Sequence, residues 1–115
     1  MKRFVMIICL AGLALLSVHS YNIPLKGQLA GGGPKNGSPV EAFQNQNDVS
    51  ITFNTNLGKL KVDISDEFGN TVFLTSVNAT NGSSLTIDTY EMDGGVYYIT
   101  ICNGNNECLE GSFVI

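Results

Sequence analysis

The stretch Tyr97-Tyr98-Ile99-Thr100-Ile101-Cys102-Asn103-Gly104-Asn105-Asn106-Glu107-Cys108-Leu109-Glu110-Gly111-Ser112-Phe113-Val114-Ile115 decides the fold. Tyr97, Ile99 and Ile101 share one face of an extended chain, because side chains alternate along a strand. Leu109, Phe113 and Ile115 share a face after residues 103–106, whose Asn and Gly suit a turn. If Cys102 faces Cys108, paired residue numbers sum to 210. Ile101 then faces Leu109 and Tyr97 faces Phe113, while Thr100 faces Glu110 and Tyr98 faces Ser112. Apolar pairs with apolar on one face, and polar or mixed pairs fill the other. The two segments therefore read as an antiparallel hairpin with the cysteines opposed on its outer face.

The same alternation recurs upstream. Val49, Ile51 and Phe53 alternate with Ser50, Thr52 and Asn54. Leu60, Val62 and Ile64 alternate with Lys59, Lys61 and Asp63, and Leu85 and Ile87 with Thr86 and Asp88. Residues 71–77 read as a further strand, whose inward face Val72-Phe73-Leu74 leaves open. Asn56-Leu57-Gly58, Asp66-Glu67-Phe68-Gly69-Asn70, residues 78–82 and Asp93-Gly94-Gly95 supply residues that tolerate positive φ. Residues 23–29 and 39–43 offer two more short extended segments. Residues 30–38 between them hold four glycines and a proline, and are expected to form a mobile loop. No stretch carries apolar residues at helical spacing, so the crossover helices of a parallel sheet are missing. The expected fold is all-β: an antiparallel immunoglobulin-like β-sandwich of about seven strands, with a small barrel as runner-up. The absence of tryptophan removes the cysteine and tryptophan pin of antibody domains.

Lys2 and Arg3 precede an apolar run from Phe4 to Leu16, long enough for a signal-peptide core and too short for a membrane span. Val18-His19-Ser20 suits cleavage before Tyr21. Residues 1–20 are thus expected to be a signal peptide, and 21–115 a single exported domain with no membrane span. The destination is the periplasm, cell surface or extracellular space. The full chain of 115 residues carries net charge −4. After cleavage 95 residues remain, with four lysines against ten acids, a net charge of −6. That balance argues against a nucleic-acid partner.

Cleavage also removes the single histidine, His19, together with Arg3 and Cys9. Without histidine there is no Ser-His or Cys-His nucleophile and no ordinary zinc site. Without arginine there is no bidentate clamp for phosphate. No catalytic, cofactor-binding or metal residue is assigned, no cofactor is expected, and the chain is read as a non-enzyme. Cys102 and Cys108, the two remaining cysteines, are expected to form a structural cross-strand disulfide, since an exported chain is oxidised. Asp63, Asp66 and Glu67 crowd one turn and Asp88, Glu91 and Asp93 another. Neither has the alternating spacing of a calcium loop, so both read as solvated turns. Asn36-Gly37-Ser38, Asn78-Ala79-Thr80 and Asn81-Gly82-Ser83 match the glycosylation sequon and receive no role.

Further stretches carry a family resemblance: Ile23-Pro24-Leu25, Ser38-Pro39-Val40-Glu41-Ala42 and Leu57-Gly58-Lys59-Leu60-Lys61-Val62. So do Asp66-Glu67-Phe68-Gly69-Asn70-Thr71-Val72, Gly95-Val96-Tyr97-Tyr98-Ile99 and Gly111-Ser112-Phe113. In this order they resemble the domain of unknown function 3244 family, small exported proteins of gut-type Gram-negative bacteria. The resemblance implies an immunoglobulin-like sandwich behind a signal peptide, and no activity or site residue. The Gly-x-Tyr-x-Ile run also resembles C-terminal outer-membrane sorting domains. Those trail a larger cargo and end in a basic tail, whereas this chain ends Phe113-Val114-Ile115, so no sorting role is expected. The functional expectation is an interaction module at the cell envelope, binding a protein or surface glycan. The alternatives are an assembly subunit using its N-terminal strand, residues 21–29, or a protease inhibitor presenting residues 30–39.

Overall fold

The computed structural model describes residues 20–29 and 39–115. The expected signal peptide up to His19 and the glycine-rich stretch 30–38 lie outside the described residues, as do the sequon at Asn36 and most of the expected inhibitor loop. The strands in chain order are β1 (Tyr21–Ile23), β2 (Lys26–Gly27), β3 (Val40–Gln44), β4 (Asp48–Phe53), β5 (Gly58–Asp66), β6 (Thr71–Ala79), β7 (Ser84–Asp88), β8 (Val96–Cys102) and β9 (Cys108–Val114). They form a four-stranded sheet in the order β1-β3-β4-β7 and a five-stranded sheet in the order β2-β9-β8-β5-β6. Every pairing is antiparallel.

The β8–β9 register is the one read from the sequence: Tyr97 faces Phe113, Ile101 faces Leu109 and Cys102 faces Cys108. Alternation along each strand sends one set of side chains between the sheets. Val49, Ile51, Phe53 and Ile87 from one sheet meet Leu60, Val62, Ile64, Ile99 and Ile101 from the other, all fully buried. Tyr97 and Phe113 stack at 5.7 Å between ring centroids, and the Tyr97 hydroxyl donates to the Asp93 carbonyl at 2.7 Å. The buried phenol thus keeps a partner.

Among the described residues nine strands form where about seven are expected, in part because residues 23–29 do not act as one strand. Pro24 lacks an N–H and interrupts the ladder. β1 before it pairs with β3 in the four-stranded sheet, and β2 after it pairs with β9 in the other. The segment crosses between sheets and closes one seam of the sandwich. The opposite seam is closed by the short turn joining β6 to β7, where Ser83 Oγ accepts from the Thr80 N–H and donates to the Thr80 carbonyl.

The inward face of residues 71–77 is Phe73, Thr75 and Val77. The β5–β6 register shifts between Ile64 and Ser65, which pair with Phe73 and Thr71. Val72 is therefore the extra residue of a bulge. Cys102 and Cys108 are bridged across β8 and β9 with a separation of six residues. Replacing both by serine is expected to lower stability by about 2 kcal/mol, the entropy that so short a loop removes from the unfolded chain. Thermal unfolding of the double variant checks this, with a fall in Tm on the order of 10 °C. An unchanged Tm would remove the bridge from the stability account.

Candidate interaction surface

The outer faces of the two sheets differ in chemistry. On the four-stranded sheet, β4 turns Asp48, Ser50 and Thr52 outward and β7 turns Ser84, Thr86 and Asp88 outward. On β4 and β7 that face is polar, as expected of an antiparallel sheet with one wet side. The half-buried Phe43 of β3 lies on it beside Ser50. The five-stranded sheet carries Tyr98, Leu74 and Val72 on its outer side, 46%, 56% and 44% exposed. Phe68, at the tip of the β5–β6 turn, is 80% exposed.

The register places these residues together. Tyr98 of β8 faces Ser65 of β5, which faces Thr71 beside the bulged Val72. One row along, Thr100 faces Asp63, which faces Leu74. Asp63 thus lies within β5 and not on the turn to which its spacing assigned it. Its Oδ1 is buried without a hydrogen-bond partner, a costly state for a polar atom. Leu74 and the bulge belong to β6, an edge strand. Its sequence, Thr-Val-Phe-Leu-Thr-Ser-Val-Asn-Ala, contains neither charge nor proline. Charges and prolines are the usual devices that keep a sheet edge from pairing with another chain. The other edges are shorter: β1 has three residues, β2 has two and β7 has five, ending in Asp88. Sequence reading placed Tyr98 on the outer face but missed the β6 edge, because position at a sheet edge follows from topology. The visible signal was the adjacent pair Val72 and Leu74 flanking Phe73.

The two acidic turns meet at one end of the sandwich. Asp66 Oδ1 accepts the N–H groups of Phe68 and Asn70, both at 2.9 Å. Its pKa is lowered chiefly by the Asn70 amide, against a smaller opposing desolvation, with the Phe68 amide adding to the fall. A depressed folded-state pKa stabilises the fold above the ordinary carboxylate range, and this is lost as pH falls through the lowered value. Asp66→Asn is therefore expected to flatten the acid limb of the stability curve. An NMR titration that places Asp66 at or above the usual carboxylate value would contradict this. The Tyr97 phenol is pushed up by burial, with Asp93, Asp66 and Glu67 adding to the effect. Among the described residues no group of three or more His, Cys, Asp or Glu is placed to hold a metal ion, and no helix is long and apolar enough to cross a membrane.

Two antiparallel sheets packed face to face define an immunoglobulin-like sandwich, and the comparisons agree. A crystal structure of a DUF3244 family protein with an immunoglobulin-like β-sandwich fold, from Bacteroides vulgatus, superposes with a TM-score of 0.72. It is 15% identical, and the match covers 84% of this chain and 99% of that one. The family model described as Domain of unknown function (DUF3244) matches residues 22–115, and the chain belongs to that family. No curated protein matches.

Proposed function

We propose that this chain is an exported, non-enzymatic interaction module of the cell envelope, which holds an extended segment of a partner protein along β6. The observation that carries this reading is the long, uncharged free edge of β6 beside exposed Leu74, Val72 and Tyr98. An extended peptide adds to such an edge through main-chain hydrogen bonds, and its alternate side chains contact the neighbouring face. Exposed apolar groups gathered on one sheet face favour contact with a protein. The disulfide supports an exported domain. The lack of histidine and arginine in 21–115 supports a non-enzymatic role.

The test compares immobilised wild-type chain with Leu74→Lys and with Thr52→Lys, using envelope extract and a glycan array. A protein partner held by wild type and by Thr52→Lys, and bound roughly tenfold or more weakly by Leu74→Lys, is expected. Equal binding by all three, or binding only to glycans, would overturn the reading.

A further inference from the structure

Positive charge is scarce in this acidic chain, and it is gathered on one face. The described residues hold three lysines, Lys26, Lys59 and Lys61, and no arginine. Lys59 and Lys61 are exposed on β5, alternating with buried Leu60 and Val62, so both stand on the outer side of the five-stranded sheet. Lys26 of β2 lies on the same side opposite an acid, Glu110. Lys59 and Lys61 have uncharged neighbours instead. Lys59 faces Asn78 of β6, and Lys61 lies between Ser76 of β6 and Cys102 of β8.

Charge along β5 therefore has a direction. The two lysines stand near its start, Asp63 follows, and Asp66 and Glu67 close it at the β5–β6 turn. The exposed apolar groups gather at the acidic end. Leu74 faces Asp63, and Tyr98 faces Ser65 beside the bulged Val72. A strand added along β6 would lie two strand spacings from β5, about 10 Å. Ser76 and Asn78, which lie between, are short and uncharged. The flexible four-carbon stem of a lysine and a glutamate side chain together span that distance.

We infer that the β6 edge selects an extended segment of stated pattern and direction. Its outward side chains are acidic where it passes Asn78 and Ser76, and apolar where it passes Leu74 and Val72. This rests on the β6 reading above and adds the chemistry of the partner to it. Antiparallel pairing is the more stable per residue, and it makes the acidic end of the segment its N-terminal end. A segment laid in reverse sets its acids beside Asp63, where like charges repel, and its apolar groups beside the lysines.

The test uses three fluorescent peptides of nine residues, the length of β6. The first alternates threonine with Glu, Glu, Leu and Val from its N-terminus. The second has Lys in place of both Glu, and the third carries the first sequence reversed. Binding to the chain as exported is read by anisotropy at protein concentrations up to about 1 mM. The acidic peptide is expected to bind about tenfold or more tightly than the Lys peptide, since two exposed ion pairs become two repulsions. The reversed peptide is expected to bind more weakly than the first. Lys59→Glu combined with Lys61→Glu is expected to invert the preference toward the Lys peptide, a gain that damage to the fold cannot produce. Leu74→Ser, which changes no charge, is expected to weaken all three. Equal binding of the acidic and Lys peptides, both weakened by Leu74→Ser, overturns the inference and leaves the β6 reading standing. Binding by no peptide, or binding indifferent to Leu74→Ser, overturns both.

Discussion

Phe53→Ala is expected to lower stability by about 3–5 kcal/mol, the usual cost of removing a buried aromatic side chain from a core. Phe53 is among the largest fully buried side chains. It ends β4 at the point where the main chain ties three elements together. Its N–H donates to the Ser83 carbonyl and its carbonyl accepts the Gly82 N–H, while Val40 of β3 faces it on the other side. The backbone is fixed by these partners, so the site has little freedom to collapse around the cavity. Domains of this size have about 5–15 kcal/mol in total, so the variant is expected to approach the limit of folding at 37 °C. Urea unfolding with a lowered midpoint and unchanged slope is the expected result. A loss below about 1 kcal/mol, the level of volume-conserving swaps, would show that this end of the core is not packed as described.

Gly111→Val is expected to displace residues 21–29. The new side chain enters the space held by Ile23, Leu25 and the Pro24 carbonyl, and β9 is held by β8 along its whole length. The less anchored partner moves, because β1 and β2 have only three and two residues. The cost is capped by what docking the segment contributes, about 1–3 kcal/mol in line with other overpacked sites. Hydrogen exchange separates this from general damage. Amides of Ile23 and Lys26 are expected to lose protection, while those of β4 and β8 keep theirs. Uniform loss of protection would mean that the segment and the sandwich are one cooperative unit.

The β8–β9 hairpin was legible because alternation and two opposed cysteines constrain each other, and a slip of one residue would expose Tyr97, Ile99 and Ile101 together. The other features depend on partners that a single strand does not reveal. Pro24 signals a break, but that the chain changes sheets there depends on β3 and β9, the partners of β1 and β2, belonging to different sheets. The bulge at Val72 is defined by Ser65 on the opposite strand, so Val72-Phe73-Leu74 was ambiguous when read alone. The acidic turns looked unrelated because strand order, not spacing, brings Asp66, Glu67 and Asp93 around Tyr97. The same holds for the candidate surface: its residues are ordinary strand formers until topology leaves β6, among the described residues, with β5 on one side alone.

Site-specific photo-crosslinking in the producing cell tests the central claim most directly. A photoreactive residue replaces Ser76, on the outer face of β6 two residues from Leu74, or Thr52, on the polar outer face of the other sheet. A discrete protein adduct from position 76, absent from position 52, is the expected result. Adducts of equal yield at both positions, or none at position 76, would contradict a binding surface at this edge.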